Sequence, residues 1–173
     1  MYSVDGQDEV LELSDLPQSS VGAPIPTVVA GEHSVVLFFF CQSVDPNWDG
    51  RSVRVIGPDS KDGPSAIVTF LSCYAHFFGP PNDEAFSGHP LYERGLKPYG
   101  NFEVRNSSWI RHLEKMNSVH RQHNRERFLE RKRHLIFAFH DSTFECIAER
   151  YTVERSSQSM RELVSRVGPK ILV

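Results

Sequence analysis

Three side chains are of the kinds that move protons. His140 and Glu145 stand in the stretch FAFHDSTFEC, residues 137–146, and His89 stands in the loop GPPNDEAFSGHPLYERGLKPYG, residues 79–100. In 137–146 an apolar run breaks into His140, Asp141, Ser142 and Thr143 and then resumes, which reads as a hairpin tip. In a strand of period two, Glu145, Ile147, Glu149 and Tyr151 share one face, while Phe144, Cys146 and Ala148 share the other. If the mixed face lines a pocket, burial raises the pKa of Glu145 and suits it to act as a general base. His140, whose ordinary pKa lies near 6.5, is its natural proton-transfer partner. His89 is a candidate second acid.

The loop adds candidate ligand-binding side chains. Tyr92, Arg94 and Tyr99 lie between glycines and prolines that fix the backbone, and Asp141 joins them from the hairpin tip. A connection of 22 residues is long for a compact domain, and such loops often carry function. The plainer alternative is that Leu91, Tyr92, Leu96 and Tyr99 pin the loop to the core, with Asp141 and Ser142 bonding their own turn.

Other chemistries have weaker marks. The chain has eight histidines but no HExxH, HxH or cysteine pair, so no metal site is expected. The glycine-rich phosphate loops and the G-x-S-x-G elbow are absent, and no cofactor is expected. Cys41, Cys73 and Cys146 each sit in an apolar run, which reads as three buried thiols. Arg121, Arg125, Arg127, Arg131, Lys132 and Arg133 form a basic stretch around Phe128 that could meet phosphates. Glu126 and Glu130 interrupt it in the pattern of a solvated helix, and the net charge of −3 is not that of a dedicated nucleic-acid binder.

The elements that must hold these residues follow from the hydrophobic pattern. The 173 residues suit one domain, 39% of them hydrophobic and 24% charged. Residues 1–26 read as an acidic arm rich in Pro, Ser and Gly, leaving 27–173 as a single domain. The first 15 residues carry five acids and no base, unlike a signal peptide, so a cytoplasmic location is expected. No apolar run approaches the ~18 residues of a membrane span.

Strands are expected at 33–42, weakly at 52–56, in one long run over 66–78, at 102–105, and in a hairpin of 135–139 with 143–153. Trp109, Leu113, Met116 and His120 at helical spacing predict an amphipathic helix over 108–120 that Trp109 anchors. Residues 121–133 read as a short exposed helix. Ser159 and Glu162 form a capping box for a last helix, with Gly168-Pro169 as its stop.

The expected class is therefore α+β: a mostly antiparallel sheet, an amphipathic helix after a long loop, and a C-terminal helix. One sheet face is expected to stay free. With no complete catalytic signature, the sequence favours a non-catalytic binding module. It would take a partner protein, a small-molecule ligand or, as a possible homodimer, a second copy. The alternative is a small metal-independent acid–base enzyme built on His140 and Glu145.

Overall fold

Among the described residues nine strands form two antiparallel sheets laid face to face, with inner strands buried along almost their whole length. The computed structural model describes residues 2–44, 49, 51, 55–61 and 63–171. In chain order the elements are β1 (Glu9–Glu12), β2 (Thr27–Ala30), β3 (Ser34–Phe40), β4 (Ser65–Leu71), β5 (Ala75–Gly79), β6 (Asn101–Arg105), α1 (Ser108–Asn117), α2 (Arg125–Arg131), β7 (Arg133–Ala138), β8 (Thr143–Ala148), β9 (Arg150–Ser156) and α3 (Met160–Ile171). The first sheet has the order β1-β6-β7-β8-β5 and the second β2-β3-β4-β9. The class is α+β with antiparallel sheets and a C-terminal helix. Among the described residues no helix is long and apolar enough to cross a membrane. The weak strand expected at 52–56 falls largely outside the described residues.

Aromatic side chains fill the space between the sheets. Phe39 and Phe70 of the second sheet meet Phe137 and Phe144 of the first, with ring centroids 5.3–6.3 Å apart. Such tilted contacts suit the ring quadrupole and bury large apolar area. The run Phe38-Phe39-Phe40 is continuous because β3 is covered on both sides. Phe39 points to the other sheet, while Phe38 and Phe40 pack under Met160 and Leu163 of α3.

Among the described residues both outer faces are partly covered, where one wholly free face was expected. α3 packs on β2 and β3 of the second sheet, and β9 stays largely exposed. The loop over 79–100 covers much of the first, burying Phe86, Leu91 and Leu96 against Phe102, Ile136 and Ala138. The pinning role foreseen for the loop thus falls to Phe86, Leu91 and Leu96, while Tyr92 stays 40% exposed.

Four expected elements differ. The run over 66–78 is two strands in different sheets. It breaks at Ser72, which has φ of 52°, between β4 and β5. The strand over 143–153 breaks at the same level, between β8 and β9. Leu71 pairs with Arg150 and Ala75 with Ile147, so three residues oppose two across the break. One extra residue on one side is the geometry of a bulge, which bends and twists a strand pair enough to turn a corner between sheets.

The stretch 1–26 is not a free arm. It supplies β1, which pairs with β6, and it buries Asp8, Leu16 and Ser19. Finally, α3 runs through Gly168-Pro169 to Ile171, which packs on the second sheet with Val164 and Val167. Gly31 admits this end of the helix, because a Cβ there would lie 2.6 Å from the Ile171 carbonyl oxygen.

The capping box does form. The Ser159 amide donates to Glu162 Oε2 at 3.1 Å, and the Glu162 amide donates to Ser159 Oγ at 3.3 Å. The three cysteines are buried free thiols. Deleting residues 1–13 removes β1 and the buried Asp8, and should lower the melting temperature by about 10 °C or more. Calorimetry on the truncated chain checks this; a fall within about 2 °C would show that β1 is dispensable.

Candidate functional site

Strand register decides which residues can meet on the outer face of the first sheet. Glu145 of β8 stands opposite Ile136 of β7 and Phe77 of β5. His134 lies two residues before Ile136 and so faces the same way. His89 arrives from the loop, between the single 3-10 turns Phe86–Gly88 and Tyr92–Arg94. Tyr2 arrives from the N-terminal segment.

The other three converge on the Glu145 carboxylate. His89 Nε2 lies 3.0 Å from Oε1, His134 Nε2 lies 2.9 Å from Oε2, and the Tyr2 hydroxyl donates to Oε2 at 2.8 Å. Glu145, His89 and His134 are almost wholly buried. The protons follow from the outer partners. His89 Nδ1 accepts the Leu91 amide at 3.1 Å, so its proton sits on Nε2, aimed at Glu145. His134 Nδ1 lies 2.8 Å from Ser107 Oγ, whose lone pair also accepts the Ile110 amide at 3.2 Å. The Ser107 hydroxyl can donate to Nδ1 or accept from it, and in either case His134 Nε2–H donates to Glu145.

This corrects the expected state of Glu145. Burial does work to raise its pKa. Hydrogen bonds from His134 and then His89 outweigh it and hold the carboxyl down at about 2. A carboxylate so held is a poor general base near neutral pH. Burial, then the adjacent Glu145 charge, pushes the Tyr2 phenol upward and keeps it protonated.

The helix beside the cluster is fixed by the same N-terminal segment. Ser107 is the N-cap of α1. Buried Asp8 accepts the Ser108 amide at 2.7 Å and the Ser108 hydroxyl at 2.6 Å, and Asp5 pairs with Arg111 at 2.6 Å. Carboxylates at a helix start also suit its dipole. Trp109 is thereby set over the cluster. It stacks on Tyr2 with centroids 5.1 Å apart and meets the His134 ring edge-on at 5.2 Å.

Between α1 and β5 a pocket of about 320 Å³ opens. Its walls are Phe77, Trp109, His112, Leu113 and Met116, and Tyr2 and Glu145 lie at its floor.

The residues singled out from the sequence divide into three groups. His89 and Glu145 meet in the buried cluster. His140 does not join them. It is exposed in the β7–β8 turn, where Nδ1 lies 2.9 Å from Asp141 Oδ1, and that hydrogen bond raises its pKa. The Tyr99 ring stands edge-on to His140, and its hydroxyl donates to Asp83. The His140–Glu145 proton relay is therefore absent from this geometry. Tyr92 and Arg94 lie at the loop surface, where Arg94 reaches the Gly6 carbonyl at 3.4 Å.

His134 and Tyr2 were missed. A hairpin register read outward from Asp141-Ser142 would have placed His134 on the face of Glu145. Nothing in the sequence marks Tyr2. Among the described residues no three His, Cys, Asp or Glu side chains are arranged to hold a metal ion. In the cluster each histidine Nδ1 is already engaged and each Nε2–H faces the carboxylate. The chain matches no known family model, and no curated protein or solved structure is significantly similar to it.

Two outcomes test the cluster. Glu145 titrates at about 2 in the fold against 4.5 ordinarily, so its contribution to stability is complete above pH 4.5 and is lost as pH falls toward 2. At pH 3 the chain should have lost about 2 kcal/mol through this group, and Glu145→Gln should lack that part of the loss in paired urea melts. Trp109→Ala removes the stack on Tyr2 and should cost about 3 kcal/mol, read in the same melts.

Proposed function

We propose that this chain is a non-catalytic binding module, and that its ligand is a small organic molecule with an apolar body and a cationic donor end. One observation carries this reading: the pocket of about 320 Å³ is walled by Phe77, Trp109, Leu113 and Met116 with His76 and His112 beside them, and has a buried, ionised carboxylate at its floor. That size falls at the lower end of small-molecule sites. Both imidazoles face it within hydrogen-bond distance and hold it in place. Among the described residues Glu145 Oε1 meets only His89, which leaves it a lone pair for one more donor. An ammonium group offers that donor and cancels the charge. The donors gathered on Glu145 and its low pKa weigh against acid–base catalysis as the main role.

The test uses phenethylamine as probe and phenylacetate as its anionic counterpart. Calorimetric titration should detect the amine and not the acid. Leu113→Trp, which fills the pocket, should weaken amine binding at least tenfold at an unchanged melting temperature. Equal binding of the two probes, binding of neither, or indifference to Leu113→Trp would overturn the assignment.

A further inference from the structure

A second pocket, of about 420 Å³, lies at the far end of α1 and shares no lining residue with the first. It forms where the corner between the sheets meets α2. Tyr74 and Glu149 come from the corner, Asn117 from α1, and His120, Gln122 and His123 from the turn between the helices.

Helical phase resolves the mixed charge of the basic stretch. On a helix of 3.6 residues per turn, Asn124, Arg127, Phe128 and Arg131 fall within an arc of about 100°. All four line the pocket, whereas Glu126 and Glu130 lie outside the arc and do not. The interrupted charge run is a helix with a cationic face toward a cavity.

The pocket is rich in donors and poor in acceptors. The Arg127 and Arg131 guanidinium groups make no hydrogen bond or ion pair among the described residues. Being four apart, they stand about 6 Å from each other at Cβ and can close on one anion. His120 Nδ1 accepts the Gln122 amide at 3.2 Å, so its remaining ring nitrogen is a donor. Asn124 spends its carbonyl oxygen capping α2 at 2.9 Å, which leaves its two N–H donors. The one lining carboxylate, Glu149, is engaged by Lys132 at 3.2 Å. Lys132 also stands over the Tyr74 and Phe128 rings, at 5.3 and 5.8 Å. Tyr74 is 45% exposed, giving the rim an apolar surface.

The geometry points to a binding site for a small phosphorylated ligand. Its phosphate would be held between Arg127 and Arg131, and its organic part would lie along Tyr74. Phosphate matches the planar forks of two unpaired arginines and supplies the acceptors that the lining lacks.

Isothermal titration of the full chain with AMP, ribose 5-phosphate, inorganic phosphate and adenosine tests this. Both esters should bind and adenosine should not, with affinity falling as salt rises. Tighter binding of the esters than of inorganic phosphate assigns the site to an organic phosphate; equal binding assigns it to the free anion. The double variant Arg127→Ala/Arg131→Ala should weaken binding at least tenfold at an unchanged melting temperature, both residues being exposed. Arg121→Ala, in the same segment but outside the lining, should bind like the parent. Absence of phosphate binding, adenosine binding as tightly as AMP, or a double variant that binds like the parent overturns the proposal. So does binding of single-stranded oligonucleotides without binding of mononucleotides.

Discussion

A carboxylate buried beneath a sheet face must be met by donors, and the outer half of the first sheet is organised around that demand. An isolated buried charge costs several kcal/mol, enough to undo a fold of ordinary stability. Glu145 is met from three distant parts of the chain: Tyr2, His89 and His134. Each donor brings its surroundings. His89 holds down the loop over 79–100. His134 engages Ser107, which caps α1. Tyr2 draws in the N-terminal segment and the Trp109 ring. Burying such a group is not the easiest way to stabilise a sheet, since a well-packed apolar side chain often does as well. What the carboxylate adds is a fixed negative charge at the floor of an otherwise apolar pocket.

The two pockets express opposite electrostatics at opposite ends of one helix. α1 lends Trp109, His112, Leu113 and Met116 to the pocket over Glu145, and Asn117 to the donor-rich pocket beside α2. Across the sequence the acids concentrate in residues 1–100 and the bases in 101–173. Folding does not simply lay one half against the other. It takes Asp5 and Asp8 to the start of α1 and leaves the Arg127 and Arg131 guanidinium groups without partners among the described residues.

Local chemistry was legible in the sequence where short-range rules decide. The reciprocal bonds of Ser159 and Glu162, the hairpin of β7 and β8 and the apolar run of β3 all follow from neighbours a few residues away. The α+β class followed from adjacent runs of strands. What failed depended on distant partners. A continuous apolar run does not reveal that it bends at Ser72 from one sheet into the other. The acidic start of the chain looked like an arm because β1 is short and only half buried; its place is made by β6, some ninety residues later. At the site, Glu145 and His89 stood out by residue type. His140 was a false partner because proximity in sequence placed it beyond the strand end. His134 was hidden at the edge of a basic segment, and its role appears only once β7 and β8 are in register.

The corner at Ser72 also constrains how the chain can be assembled. β4 has β3 as an early neighbour, but its other side waits for β9, so that strand's backbone groups stay unpaired until residue 156 has been made. β5 likewise waits for β8, and β1 for β6. During synthesis from the N-terminus, a Phe-rich hairpin of β3 and β4 would emerge with an open edge well before its covering sheet exists. Such a nascent chain presents both an unsatisfied strand edge and a large apolar face, the two features that invite self-association. The architecture therefore makes vectorial synthesis, more than the finished fold, the stage at which this chain most needs protection from its own copies.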